Sequence, residues 1–123
     1  MTADALKAMT VSELVERLAA ICSEQDKAEF EDDTATYNRL YDQKVAVLDE
    51  LKERPGDQRT ALLRLYEHSN LQVQLQAAKA TLAVAPEAAR QMLREIESWG
   101  RQPYAGDAGM CLVSLDRGIF VPK

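Results

Sequence analysis

The residues able to do chemistry begin with His68, the only histidine of the sequence, which stands in a predicted loop before a helix. An imidazole can bind a metal or act as a general base. A zinc ion needs further cysteine or histidine ligands, and none lies at ligand spacing. No nucleophile accompanies His68 either. A loop or helix-capping role is therefore favoured over a metal role.

An acidic run lies between residues 24 and 33, where six carboxylates fall within ten positions. Its members are Glu24, Asp26, Glu29, Glu31, Asp32 and Asp33. Asp26, Glu29 and Asp33 share one face at helical spacing, but the alternating ligands of an EF-hand loop are absent. A solvated helix end is the favoured interpretation. A docking patch for a basic protein, formed by Glu29, Asp32 and Asp33, comes second, and a cation site third.

Arginines cluster in two places. The first cluster surrounds a Pro-Gly turn and the second lies on a later helix: Arg54, Arg59 and Arg64, then Arg90, Arg94 and Arg101. With Trp99 and Tyr104 nearby to stack on bases, the second cluster is a candidate contact for nucleic acid or another anion. An unbroken apolar stripe from Ala89 favours Trp99 as a core residue instead. A ligand pocket near Trp99 and Tyr104 is a further alternative.

Charge is unevenly distributed along the chain. Residues 1–57 contain 14 acidic and 7 basic side chains, whereas residues 58–123 contain 6 and 8, and the net charge is -5. Affinity for a polyanion rests on neutralising phosphates, so this distribution disfavours nucleic-acid binding by the whole chain. It leaves a basic protein as a partner for the acidic first half.

Enzyme signatures are missing from the sequence. There is no P-loop, no GxGxxG after a strand, no GxSxG, no HExxH and no CxxC. Cys22 and Cys111 lie in apolar helical stripes, where a free thiol behaves as a small hydrophobe. We therefore expect buried thiols, no cofactor, no metal and no catalysis.

Length and composition bound the class of protein. A chain of 123 residues suits one domain, and 46% hydrophobic with 28% charged residues is typical of a globular protein. The start "MTADALKAMT" lacks the apolar segment of a secretory signal, and no run is long enough to span a membrane. A cytoplasmic location is the expectation.

The first half is predicted to be an antiparallel helical hairpin over residues 10–54. Thr10 and Glu13 form a capping box at its start. A turn is expected at Asp32 and Asp33, and the second helix ends at Pro55-Gly56. The apolar faces are Val11, Leu14, Val15, Leu18 and Cys22 on the first helix, and Tyr37, Leu40, Tyr41, Val45, Val47, Leu48 and Leu51 on the second.

Residues 57–120 are predicted to form four shorter helices. Asp57 caps the third helix, Pro86 starts the fifth and Gly100 ends it, and Asp107 caps a sixth that stops at Gly118. The fourth helix, about 71–84, has two opposite apolar stripes: Leu71, Leu75, Ala78 and Leu82, then Val73, Ala77, Ala80 and Val84. Its flank of Gln72, Gln76 and Lys79 is expected to be an open ridge. Ile119 and Phe120 are expected to fold back onto the core.

The segment "HSNLQVQLQAAKATL" resembles the second helix of a HEAT repeat, with Val73, Ala77 and Ala78 at matching positions. "ALLRLYEH" resembles the first helix of that repeat, and "PEAARQMLREI" with "DAGMCLVSL" a degenerate second repeat. Gln74 and Thr81 depart from the usual arginine and leucine. The chain also resembles a family of small bacterial proteins known only as a domain of unknown function, through "RPGDQR", "HSNLQVQLQAAKATLAVAPEAAR" and "AGDAGMCL". This resemblance implies a HEAT-like α-α fold and no assigned activity.

The sequence thus predicts a single all-α domain of about six helices, an acidic hairpin packed on short HEAT-like helix pairs. The predicted function is a non-catalytic protein-binding module. Its candidate surfaces are the Gln72, Gln76 and Lys79 ridge and the acidic turn of Glu29, Asp32 and Asp33. An immunity- or antitoxin-like protein that neutralises a basic toxin is a specific version. Nucleic-acid binding and a small-molecule binder or enzyme are the alternatives. A homodimer is also compatible with the sequence, because the terminal helices of a short repeat array are not covered by a neighbouring repeat.

Overall fold

The computed structural model describes residues 3–123, which form six α-helices and one 3₁₀ helix and contain no strand. Residues 1 and 2, at the start of the segment expected to lack a secretory signal, lie outside this range. The helices are α1 Ala3–Lys7, α2 Val11–Phe30, α3 Thr34–Glu53, the 3₁₀ helix Gln58–Glu67, α4 Leu71–Ala80, α5 Pro86–Trp99 and α6 Tyr104–Asp116. The all-helical prediction is confirmed. Its helix count omitted α1, which is too short to show a periodic pattern.

The chain divides into two compact units, Met1–Ala61 and Leu62–Lys123. In the first unit α2 packs along α3. Thr10 starts α2 with the predicted capping box, because its hydroxyl accepts the Glu13 N–H and the Glu13 carboxylate accepts the Thr10 N–H. The hairpin therefore has the boundaries that the sequence predicted.

The buried face of α3 is narrower than predicted, whereas that of α2 also includes Ala19, Ile21 and Ala28. Leu14, Val15, Leu18 and Cys22 are buried on α2, as are Leu40, Val47 and Leu51 on α3. Tyr41 and Val45 are instead exposed on the outer side of α3. Helical periodicity alone misassigned these two residues. It does not distinguish the middle of a packed helix face from the edge of that face, where side chains are exposed to solvent.

Arg54 ties α1 to the end of α3. Its guanidinium donates hydrogen bonds to the backbone oxygens of Leu6 and Met9, at 3.1 and 2.7 Å. It also pairs with Glu50 at 2.9 Å, and both side chains are largely buried. Arg54 is therefore occupied structurally and is not part of an open basic cluster.

Residues Gln58–Glu67, which begin in the first unit and end in the second, form a 3₁₀ helix where the sequence predicted an ordinary helix. Asp57 has a φ of 49° and its carboxylate binds the Arg59 side chain at 2.6 Å. Helix α4 ends at Ala80, four residues before the predicted end at Val84. Helix α5 has the predicted ends, with Gly100 in the left-handed conformation at φ 70°.

The two departures from the HEAT pattern each form a side-chain hydrogen bond. Gln74 donates to the backbone oxygen of Tyr66 at 2.9 Å. The fully buried Thr81 shares a 2.6 Å hydrogen bond with the Tyr66 hydroxyl and donates to the Ala77 oxygen at 2.9 Å. These bonds hold the end of the 3₁₀ helix against both ends of α4.

The core of the second unit joins α4, α5 and α6. Its buried members are Leu75, Ala78, Leu82, Ala89, Met92, Leu93, Ile96, Ala108 and Cys111. Small residues on each helix allow the three backbones to approach closely. Both predicted stripes of α4 include fully buried residues, since Val73 and Ala77 are as inaccessible as Leu75 and Ala78. The two-sided helix is therefore confirmed.

The end of the chain differs from the prediction. Helix α6 starts at Tyr104, so Asp107 lies in its first turn and does not precede it. Ile119 and Phe120 do not fold onto the core, because they are 72% and 41% exposed. Hydrogen bonds from their N–H groups to the Ser114 oxygen hold this tail at the end of α6 instead.

Across residues 3–123 no helix combines the length and the apolar character needed to cross a membrane.

We expect that the substitution Arg54→Ala lowers the free energy of unfolding by about 2 kcal/mol. It removes charge-assisted bonds to two carbonyls and leaves the Glu50 carboxylate without its partner. Chemical denaturation monitored by circular dichroism measures the change. The matched control is Lys52→Ala, an exposed cation on the same turn of α3, which should change stability by less than about 0.5 kcal/mol. Equal effects of the two substitutions would contradict this role.

Candidate functional site

A pocket of about 320 Å³ lies at the turn between α2 and α3. Its lining residues are Ala28, Glu29, Asp32, Asp33, Thr34 and Tyr37. The three acidic residues that the sequence singled out thus share one concavity. We call this pocket, together with Phe30, which follows Glu29 in the chain but does not line the pocket, the acidic turn.

Backbone geometry fixes two of the carboxylates in the acidic turn. Asp32 adopts the left-handed conformation with a φ of 55°, and the N–H of Asp33 donates to the Ala28 oxygen at 2.8 Å. The Asp33 side chain then caps α3 by accepting the Thr36 N–H at 3.1 Å. Hydrogen bonds from Thr36 hold the pKa of Asp33 below its usual value, with a smaller contribution from the charge of Arg39. Asp33 is therefore a fixed anion at neutral pH.

Phe30 is the most exposed large apolar residue of the described chain, at 91%. It stands two positions after the buried Ala28, which places it on the opposite side of α2 from the buried face. No sequence prediction concerns Phe30. Phe30 lies outside the apolar stripe of its helix, and this position was the one sequence signal that its side chain is exposed.

The acidic turn does not form a metal centre. Within residues 3–123 no three histidine, cysteine, aspartate or glutamate side chains are grouped so that they could hold a metal ion. Asp26 and Glu29 lie on α2, whereas Asp33 lies beyond its end as the cap of α3, so the three do not share the helix face that the sequence predicted. Glu31 has a cation nearby, because Lys27 lies 4.0 Å from its carboxylate on the exposed surface. The pocket presents fixed negative charge and no coordination site.

The prediction that Gln72, Gln76 and Lys79 form an open ridge on α4 is wrong. Gln72 and Gln76 are buried, with 4% and 9% of their surface exposed. Lys79 is half-buried and pairs with Asp107 at 3.0 Å. Six of the ten residues of α4 are buried, so this helix is covered on its polar flank as well. Polar residue type alone could not reveal that burial.

The second arginine cluster is partly neutralised. Arg90 pairs with Asp116 at 2.9 Å, which joins the start of α5 to the end of α6. Arg94 and Arg101 are exposed, but the exposed Glu87 and Glu97 alternate with them along α5. The surface is of mixed sign and lacks the continuous positive ridge that tracks a phosphate backbone.

The remaining sequence candidates have structural roles. The Nδ1 atom of His68 accepts the N–H of Asn70 at 3.0 Å, and Asn70 caps α4, so His68 belongs to the turn before that helix. Cys22 and Cys111 are free and buried as predicted. Burial raises the pKa of Cys22 to about 12 and also raises that of Cys111. Both thiols are protonated and unreactive near neutral pH.

A second concavity, of about 430 Å³, lies along α6. It is lined by Glu97, Gly100, Gln102, Ala105, Gly106, Gly109, Met110 and Val113. Trp99 and Tyr104 do not line it, although the sequence placed a ligand pocket near them. Trp99 is 48% exposed and so does not close the core. This groove is open and largely apolar, and no cluster of titratable groups faces it.

The comparisons with known proteins agree with the fold. The model of a domain of unknown function, DUF2019, matches residues 12–116. The crystal structure of the protein RPA1889 from Rhodopseudomonas palustris CGA009 superposes with a TM-score of 0.94 at 52% sequence identity, covering 96% of this chain and 98% of that one. No curated protein sequence matches the chain.

We expect Asp33→Ala to lower the melting temperature, because the first turn of α3 loses its cap, whereas Asp33→Asn retains an acceptor oxygen and most of the stability. The folded-state pKa of Asp33 is lowered. Its charge therefore stabilises the protein above the unfolded pKa of about 3.9, and this contribution is lost as the pH falls through the folded pKa. Melting curves at several pH values measure the difference between wild type and Asp33→Asn. A difference that grows toward acid pH would contradict the assignment.

Proposed function

We propose that this chain, which belongs to the DUF2019 family, is a cytoplasmic, non-catalytic protein-binding module whose acidic turn docks a basic protein. The observation that carries the proposal is the pocket at the α2–α3 turn, where Glu29, Asp32 and Asp33 line one concavity. The exposed Phe30 follows Glu29 in the chain. The HEAT-like character of the remaining helices stays a prediction.

Charge favours a basic partner. The unit that contains the acidic turn, Met1–Ala61, has 14 acidic and 8 basic side chains. A negative surface of this kind steers a positive partner during diffusion and raises its association rate, more than it raises the final affinity. Complex formation should therefore weaken as the salt concentration rises.

The acidic turn offers an anchor besides charge. Binding energy at interfaces concentrates in a few aromatic or arginine side chains that become buried, while exposed ion pairs contribute little. Phe30 can supply that buried anchor, and the fixed Asp33 carboxylate can receive a lysine or arginine. A partner that fits has a cationic side chain close to an apolar patch.

An immunity- or antitoxin-like role is the specific version of this proposal. A small acidic domain that covers a basic toxin needs a preformed anionic surface and no catalytic group. The acidic turn supports this version through its rigid backbone, since pre-organised charges lose little entropy on binding.

Capture from a lysate of the protein's source tests the proposal with two neutralised variants. Glu29→Gln, Asp32→Asn and Asp33→Asn together remove three charges from the acidic turn while retaining the cap of α3. The matched control removes three exposed charges elsewhere on the same unit: Asp42→Asn, Asp49→Asn and Glu53→Gln.

We expect a stoichiometric, nuclease-resistant protein with wild type and with the control, and at least about a tenfold loss of affinity for the acidic-turn variant. Phe30→Ser should reduce binding as well. Equal binding by the two triple variants would contradict the proposal. Loss of the captured material on nuclease treatment would support nucleic-acid binding through Arg90, Arg94 and Arg101 instead.

A further inference from the structure

We propose that the outer face of α6 and the tail that follows it bind a second copy of this chain, with the two α6 helices antiparallel about a two-fold axis. The α6 face consists of Gly106, Gly109, Met110 and Val113, and the tail of Ile119, Phe120 and Val121. This surface belongs to the unit Leu62–Lys123 and is separate in sequence from the acidic turn.

Exposure of apolar side chains marks the surface. Met110 is 68% exposed and Val113 44%, and the three tail residues are 72%, 41% and 64% exposed. Monomeric soluble proteins rarely leave large contiguous apolar patches in water. The tail is not a loose end, because two N–H groups bond to the Ser114 oxygen and hold it beside the last turn of α6.

The order of residue sizes along the α6 face is self-complementary. The spacings of three, one and three place its four residues on one side of the helix, first two glycines and then two larger residues. A two-fold axis between Gly109 and Met110 sets Met110 of one copy against Gly109 of the other, and Val113 against Gly106. Such an isologous contact buries the same patch on both copies. A parallel arrangement would oppose large residues to large ones.

Charge also selects a second copy. The unit Leu62–Lys123 contains 7 basic and 6 acidic side chains, so two such units repel each other little, unlike two acidic first units. In the antiparallel arrangement, Arg117 after one α6 approaches the part of the groove that Glu97 and Gln102 line on the other. Glu97 and Arg117 are both exposed and of opposite sign.

The Glu97 side chain lies where it can change conformation when the second copy binds. Its carboxylate lies over Gly109, where a Cβ atom would collide with it. Because Glu97 is exposed, it can swing toward the arriving Arg117 and open the space above Gly109 for Met110. Glycine at position 109 allows both positions of the carboxylate.

Size indicates a weak, reversible dimer. A standard interface buries ~800 Å² on each partner, which is about a ninth of the 7021 Å² surface of this chain. The groove lining and the tail together supply fewer residues than the roughly 20–30 of such an interface. We expect a dissociation constant in the micromolar range, because few side chains are available to offset the entropy lost on association.

Sedimentation of the full chain over about 1–200 μM tests the proposal. We expect wild type to move from monomer to dimer over this range, and Met110→Lys to weaken the dimer at least about tenfold because it buries a charge. The matched control is Val45→Lys, which places the same charge at an exposed apolar residue of the first unit that belongs to neither proposed surface and should leave self-association unchanged. Circular dichroism checks that both variants are folded. A wild type that stays monomeric, or equal effects of the two variants, overturns the proposal.

Cysteine crosslinking tests the antiparallel register. Met110 lies beside the axis, so Met110→Cys should form a disulfide between copies, which requires Cα atoms within about 7 Å. Val113 is offset from its counterpart by about 10 Å along the helix, so Val113→Cys should not crosslink under the same oxidation. Wild type is the control, since Cys22 and Cys111 are buried. Equal crosslinking by the two variants would overturn the antiparallel pairing.

Discussion

The burial of α4 is the constraint on which the second half of the structure depends. Ala77 and Ala78 are adjacent and both fully buried, so this helix has no free side at that point. Helices α5 and α6 pack against it, and Tyr66 is tied to both ends through Gln74 and Thr81. A helix enclosed in this way stabilises the unit but offers nothing to a partner.

The two surfaces proposed for recognition therefore lie where helices end or face outward. The acidic turn exists because α2 and α3 must reverse direction within three residues, and this reversal uses the left-handed Asp32 and the cap at Asp33. The same carboxylates that end one helix and start the next give the turn its charge. Stability of the hairpin and negative potential at its tip thus have a common origin.

Local signals explain what the sequence could predict. Thr10 and Gly100 act through a hydrogen bond or a backbone conformation within a few residues, and the helix ends they predict are confirmed for α2 and α5. The turn expected at Asp32 and Asp33 also separates α2 from α3. The sequence also places the acidic residues at this turn, although it favours a solvated helix end over a docking patch and indicates no pocket there.

Long-range packing explains what the sequence could not predict. Gln72 and Gln76 look like surface residues, and only tertiary packing buries them. Ile119 and Phe120 look like core residues, yet the core of α4, α5 and α6 is complete without them. The 3₁₀ helix is similar, because bonds from Tyr66 to Thr81 and Gln74, eight to fifteen residues away, hold its end. Amino-acid type indicates solvation preference, whereas burial depends on the partners that the fold brings.

Dimerisation through the proposed α6 surface would change how many acidic turns one particle presents to a partner. The α6 surface and the acidic turn belong to different units and have no residue in common. A dimer formed through α6 presents two acidic turns in one particle. A partner with two basic patches, or a polymer of basic patches, would then bind the second turn as an intramolecular step at high effective concentration. Each exposed charge of the acidic turn contributes little to binding energy. A weak dimer of this chain therefore raises the overall affinity for a partner that contacts both turns.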